Sequence, residues 1–162
     1  IVSNAEVMEL LNQVKRPNAR SRSFHGGTFT GNIVTLTAGY TLVSYLNSNR
    51  GVYEQLNSLW DWARRRMNEA CETHDRLCWV TGVGSMTGIH FTKSKPVNAR
   101  EAYQLRISEE LYDLMHLYMR INNVLYMTEH MPHLLPSILH TREHAQKLID
   151  SLDGALSMVT SR

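Results

Sequence analysis

His25-Gly26-Gly27-Thr28-Phe29-Thr30-Gly31-Asn32 is the stretch on which the reading of this chain turns. Two adjacent glycines are followed by alternating hydroxyls, a third glycine and an asparagine, and a run of helical character begins at once. Glycine permits positive φ and lets backbone amides approach an anion, so Gly26 and Gly27 can form a concave set of N–H donors. Thr28 and Thr30 add hydroxyl donors, and the start of the following helix adds a partial positive charge. Taken alone, these residues leave two readings open, a phosphate cradle or an ordinary Gly-Gly-Thr turn.

Outward from this loop, Ala5 to Val14 reads as a short helix that ends before Pro17. Residues 16–33 form a long polar, glycine-rich connection of the kind that carries function. Val34 to Leu46 reads as a helix despite Gly39, and Asn47-Ser48-Asn49-Arg50-Gly51 is a clear break. From Val52 to about Cys71, apolar residues at 52, 53, 56, 59, 60, 63, 67 and 70 follow helical spacing. Leu77 to Val83 and Met86 to Thr92 read as two strands broken at Gly84-Ser85, and Lys93 to Ala99 as a loop. Arg100 to about Ile121 reads as one helix with Ile107, Leu111, Leu114, Met115 and Tyr118 as its buried stripe. Val124 to Thr128 and Leu134 to Leu139 read as short strands. Thr141 is a good N-cap for a last helix whose apolar face is Ala145, Leu148, Ile149, Leu152, Ala155 and Leu156. This order predicts an α+β fold with helices covering one face of a small, mainly antiparallel sheet.

A family resemblance sharpens the loop. RPNARSRSFHGGTFTGNIVTLTAG at 16–39 resembles the segment just after the catalytic lysine in class III (fold type I) pyridoxal-phosphate-dependent aminotransferases. The likeness is strongest to the glutamate-1-semialdehyde 2,1-aminomutase branch. Further matches follow in the same order: VTGVGSMTGIHFT at 80–92, the run around NNVLYM at 122–127, and SILHTREHAQKLIDSLDGAL at 137–156. The resemblance implies that residues 1–48 are the tail of a large cofactor-binding domain and residues 49–162 a C-terminal small domain. It implies that Gly27 and Thr28 reach the phosphate of pyridoxal 5'-phosphate in a neighbouring subunit, a contact of the strong, charge-assisted kind. Phe29, Thr30 and Asn32 would support the loop. Ile33 stands where many relatives have proline, which at a first helical position only preorganises the turn.

The resemblance also says what to expect elsewhere. The Schiff-base lysine and the acid that pairs with the cofactor's ring nitrogen would lie upstream of IVSNAEVMELL at 1–11, and the lysines here, Lys15, Lys93, Lys95 and Lys147, fall outside the family's lysine motif. No catalytic residue is therefore expected in this chain, and the chain alone is not expected to be active. The first residue, Ile1, reads as the start of a processed or trimmed chain. Expected partners are a second copy or a complementing N-terminal chain, with a small amino acid or amino aldehyde as substrate. In aminomutases of this family a glutamate stands in the loop between the last two strands; Pro132 falls there, with Glu129 the nearest acid.

Composition sets bounds. A chain of 162 residues with 43% hydrophobic content can fill a core. A net charge of +2 from 17 basic and 15 acidic residues gives no push toward nucleic acid or a membrane surface. No apolar run has transmembrane length and no signal peptide is visible. Cys71 and Cys78 are too few for a disulfide framework, and read as two free thiols they fit a reducing, cytoplasmic setting. Gly82, Gly84 and Gly88 invite a dinucleotide reading, but the strand-like IHFT that follows offers no helix N-terminus for a pyrophosphate. His130, His133, His140 and His144 invite a metal reading, yet no cysteine or acid stands nearby at ligand spacing; loop histidines at the mouth of a cleft are the better account. Trp60, Trp62 and Trp79 read as core or domain-interface residues. Two alternatives to the enzyme part stand: a non-catalytic dimerisation or binding module derived from the same fold, and an unrelated small α+β binding protein. An isolated piece would expose Val34, Leu36, Val43 and Leu46, and a surface of that kind marks a missing partner.

Overall fold

Asparagines punctuate this chain. Asn4, Asn32 and Asn98 each precede a helix and accept a hydrogen bond from a backbone N–H in its first turn, from Val7, Thr35 and Glu101. Those N–H groups have no partner inside the helix, so a side-chain oxygen there decides where the helix begins. The computed structural model describes residues 3–126 and 133–160. Its elements are α1 (Ala5–Glu9), a 3-10 turn (Ala19–Ser21), α2 (Ile33–Ser48), α3 (Gly51–Thr73), β1 (Trp79–Val83), β2 (Met86–His90), α4 (Ala99–Gln104), α5 (Glu110–Ile121), β3 (His133–Leu134) and α6 (Arg142–Thr160). The chain divides into two compact units, residues 1–49 and 50–162.

In the first unit, α1 is shorter than the 5–14 expected from the sequence. Asn12 interrupts it: its side-chain oxygen accepts from the backbone of Val14 and Lys15, an alternative to helical bonding that asparagine readily offers. The Ser23 N–H donates to the Leu10 carbonyl at 2.8 Å and ties the long loop back to the end of α1. α2 then runs for 16 residues without burying one side chain.

The second unit is an α+β fold with a three-stranded antiparallel sheet in the order β1-β2-β3. Val80 pairs with Ile89 across the β1–β2 hairpin, and both are buried with Thr87 and Phe91 on the face covered by α3. α6 packs on both α3 and α5. The expected apolar face of α6 is the observed one: Ala145, Leu148, Ile149, Leu152, Ala155 and Leu156 are all buried. On α3 the buried positions are Trp60, Ala63, Met67, Ala70 and Cys71. Gly84 takes φ +58° at the first position of the two-residue turn between Val83 and Met86, which a tight hairpin demands.

The expected helix over 100–121 is two helices, α4 and α5. Residues 105–107 instead pair with residues 91–93, just past β2: Lys93 N–H donates to the Leu105 carbonyl and Ile107 N–H to that of Phe91, both at 3.0 Å. Strand pairing here outweighs helical propensity. The buried stripe of α5 is consequently Tyr112, Met115 and Met119, whereas Ile107 and Leu114 are exposed. Of the expected strand over 134–139 only Leu134 is in β3, which begins at His133, and Val124 to Tyr126 is not a strand. Met127 and Thr128 lie outside the described residues.

Cys71 and Cys78 are not free thiols but a disulfide, with their Cα atoms 5.4 Å apart. The chain reverses between α3 and β1 through Asp75 and Arg76, which hold φ of 55° and 52°. Count and spacing carry no information about that reversal, which is what brings the two sulfurs together.

The outer edge of β1 is closed by a side chain. Asn68 accepts from the Val80 N–H at 3.0 Å and donates to the Val80 carbonyl at 2.9 Å, imitating a neighbouring strand. Asn68→Ala leaves a donor and an acceptor of buried Val80 without partners, so a loss of about 2–3 kcal/mol is expected in urea denaturation, at unchanged m. A loss below about 0.5 kcal/mol would show that water replaces the amide.

Candidate functional site

The Gly-rich loop leads directly into the N-terminus of α2. Thr30 N–H donates to the Gly27 carbonyl at 3.0 Å and Asn32 N–H to that of Phe29 at 3.2 Å, so two short turns wind the loop onto the helix. Gly27 holds φ +157° and Gly31 +73°, conformations that L side chains rarely adopt. A Cβ on Gly26 would come within 2.9 Å of the Phe24 ring. Gly27, Thr28, Phe29 and Thr30 are all exposed, and among the described residues the amides of Gly27 and Thr28 and the Thr28 hydroxyl donate no hydrogen bond. Asn32 occupies one free donor of α2 through Thr35. The site therefore combines uncommitted N–H and O–H donors and the positive end of a long helix. Such a set suits a phosphate. The donors of the described residues thus fit the phosphate of a bound pyridoxal cofactor.

Beside this loop, α2 carries an apolar stripe with a groove of about 730 Å³ lined by Ile33, Val34, Ala38, Leu42 and Tyr45, together with Thr37 and Thr41. Val34 is 72% exposed, Leu36 58% and Val43 65%, while Leu46 is half-buried. Apolar side chains point in every direction around the helix, the pattern of a segment covered on several sides.

The lysines stand apart from this loop in chemistry. Lys15 pairs with Glu9, and Lys93, Lys95 and Lys147 are exposed in the second unit. Glu129, His130 and Pro132 lie outside the described residues. No group of three or more His, Cys, Asp or Glu side chains at metal-ligand spacing occurs among the described residues. The three tryptophans divide: Trp60 is buried in the core, Trp62 stacks under the Arg142 guanidinium at 4.0 Å, and Trp79 under that of Arg76 at 5.0 Å. Gly82 is required by the hairpin, since a Cβ there would lie 2.1 Å from the Met86 carbonyl oxygen.

Three arrangements escaped the sequence reading. His74, at the end of α3, places Nδ1 3.1 Å from the Thr160 hydroxyl and Nε2 3.0 Å from Asp153, pinning α3 to α6 across 86 residues of chain. Arg64 reaches the hairpin, bonding the Gly84 carbonyl and the Thr87 hydroxyl while pairing with Asp61. His90 bonds the Thr81 hydroxyl at 3.0 Å, and burial, assisted by the Arg106 charge, holds its imidazole below the usual histidine range. Each joins residues distant in sequence, and no local pattern announces them. In the core, the Tyr112 hydroxyl accepts from the Phe91 N–H at 3.0 Å, and burial pushes its pKa up.

No family model matches the chain. It is 40% identical over 75 residues to an uncharacterized aminotransferase of Schizosaccharomyces pombe, a match covering 46% of this chain and 16% of that protein. It is 38% identical over 82 residues to the glutamate-1-semialdehyde 2,1-aminomutase of Archaeoglobus fulgidus, covering 51% of this chain and 19% of that protein. In fold it superposes on an omega-transaminase from Sphaerobacter thermophilus with a TM-score of 0.72 at 23% identity, over 96% of this chain and 34% of that one. A glutamate-1-semialdehyde-aminomutase from Pseudomonas aeruginosa in complex with PMP gives a TM-score of 0.58 at 21% identity, over 65% of this chain and 23% of that one. The chain thus shares sequence with aminotransferases and aminomutases and shares the transaminase fold, and it spans about a fifth of the length of the curated relatives it matches.

Proposed function

We propose that this chain is the C-terminal part of a pyridoxal-phosphate-dependent class III aminotransferase or glutamate-1-semialdehyde aminomutase-like enzyme. Its loop would clamp the cofactor phosphate of a neighbouring subunit and its residues 49–162 would form the small domain. The observation that carries the reading is the set of uncommitted donors at Gly27 and Thr28, placed on the N-terminal end of α2. When bound, the cofactor supplies an electron sink through which an amino group moves between small amino acids, oxo acids or amino aldehydes.

What the chain's own residues do follows from their chemistry. The amides of Gly27 and Thr28 and the Thr28 hydroxyl hold phosphate oxygens; the φ of Gly27 keeps the backbone open to them. The α2 N-terminus favours the same negative charge, and Asn32 keeps that helix end in place. The apolar surface of α2 packs against the large domain or a second subunit, which supports a homodimer or a complementing chain. No lysine of the chain is assigned a proton-transfer role.

Thr28→Val removes one charge-assisted hydrogen bond, so the enzyme containing this chain is expected to lose about ten- to hundredfold in cofactor affinity, read by equilibrium dialysis against pyridoxal 5'-phosphate. The reading as a whole is tested on protein isolated from its own cells, by denaturing intact-mass measurement after borohydride reduction, which fixes a cofactor held on a lysine. A larger or second polypeptide carrying the adduct is the expected result. A bare chain without adduct would leave a non-catalytic dimerisation or binding module in its place.

A further inference from the structure

A cleft of about 660 Å³ opens at the N-terminal end of α6, in the second unit alone. Trp60, Val124, Leu134 and Leu148 give it apolar walls, and His140, His144 and Lys147 line it as well. Ser137 N–H donates to His140 Nδ1 and Thr141 N–H donates to His144 Nδ1, each at 3.0 Å. His140 Nδ1 also lies 3.3 Å from the Ser137 carbonyl and His144 Nδ1 3.3 Å from the Thr141 hydroxyl, so both rings are held through Nδ1, and among the described residues neither Nε2 has a hydrogen-bond partner. Lys147 follows His144 by one turn of α6, and its ammonium enters no ion pair among the described residues. Asp150, the acid one turn further on, accepts from Gln146 at 2.7 Å.

The inner wall carries a second observation. The Tyr126 hydroxyl and the Trp60 indole N–H belong to side chains that are almost wholly buried, both residues line this cleft, and neither polar atom has a hydrogen-bond partner among the described residues. Burial pushes the Tyr126 hydroxyl well above the usual tyrosine range, so it stays a protonated donor. Unpaired buried donors are uncommon and call for an explanation at this wall.

We propose that this cleft binds a small amphipathic monocarboxylate, its carboxylate on Lys147, His140 and His144 and its apolar body against Trp60, Val124, Leu134 and Leu148. The Lys147 ammonium balances a single negative charge, whereas a phosphate dianion calls for a second cation. The volume is that of a small-molecule site with apolar walls and a few convergent polar groups. The proposal stands on the second unit's own geometry and is independent of any cofactor bound at Gly27 and Thr28.

Calorimetric titration of the full 162-residue chain with sodium octanoate tests it, with 1-octanol as the headless probe and inorganic phosphate as the tailless one. One saturable octanoate site is expected, with neither control matching it. Lys147→Gln is expected to weaken octanoate about tenfold while Lys93→Gln, an exposed cation of the same unit, leaves it unchanged. In ¹⁵N spectra the Trp60 indole signal should shift with the same titration. Absence of saturable binding at millimolar octanoate overturns the proposal. So does an unaltered affinity in the Lys147→Gln chain, or octanol binding as tightly as octanoate.

Discussion

Leu152→Ala is expected to lower the unfolding free energy of the chain by about 2–5 kcal/mol, the range for deleting a fully buried leucine side chain. Leu152 is wholly buried on α6, the helix that packs against both α3 and α5. Truncation there opens a cavity at the junction of all three helices, where none can move in to fill it without losing contact with another. Urea denaturation followed by far-ultraviolet circular dichroism measures the effect. Leu125→Ala, at a side chain that is 78% exposed, is the control and should cost little. A Leu152→Ala loss under about 1 kcal/mol would mean that the three-helix junction collapses around the deletion.

Reduction of the Cys71–Cys78 disulfide is the second large effect. The bridge joins residues 7 apart in sequence, so the loop it closes is short and the expected contribution is about 2–3 kcal/mol. Asp75 and Arg76 within that loop hold left-handed φ values unfavourable to their side chains, and the bridge helps impose them. Dithiothreitol should therefore lower the thermal midpoint by roughly 10 °C. The Cys71→Ser, Cys78→Ser double variant should start near that lower midpoint and show no response to the reductant. If it unfolds at the midpoint of the oxidised chain, the bridge is stabilising nothing. Because both sulfurs are buried in the core, reduction is also expected to be slow below the transition, where local opening limits access.

These two effects mark the border between what was legible in the sequence and what was not. The face of α6 could be read at 3.6-residue spacing because the helix is buried on one side only: Ala145, Leu148, Ile149, Leu152, Ala155 and Leu156 repeat as periodicity demands. The same holds for α3 and for the hairpin at Gly84, where local chemistry and tertiary need agree. The break at 105–109 did not announce itself, since residues there have adequate helical character and yield to strand pairing with Phe91 and Lys93. The late strands failed for the opposite reason: an apolar run such as Leu134 to Leu139 satisfies a strand pattern, but only His133 and Leu134 find partners, on Gly88 and Thr87.

Local chemistry along the chain was enough to read the α+β class, the courses of α2, α3 and α6, and the hairpin. Each of these rests on interactions within a few residues, namely side-chain caps, glycine backbone freedom and one-sided burial. That Cys71 and Cys78 join and that Asn68 closes the sheet edge came from the folded arrangement alone. It alone decided that His74 reaches Asp153 and Thr160, and that His140, His144 and Lys147 gather with Trp60 and Tyr126 around one cleft. Those arrangements depend on how a folded chain brings distant segments together, and periodicity and spacing along one strand of sequence carry no measure of that distance.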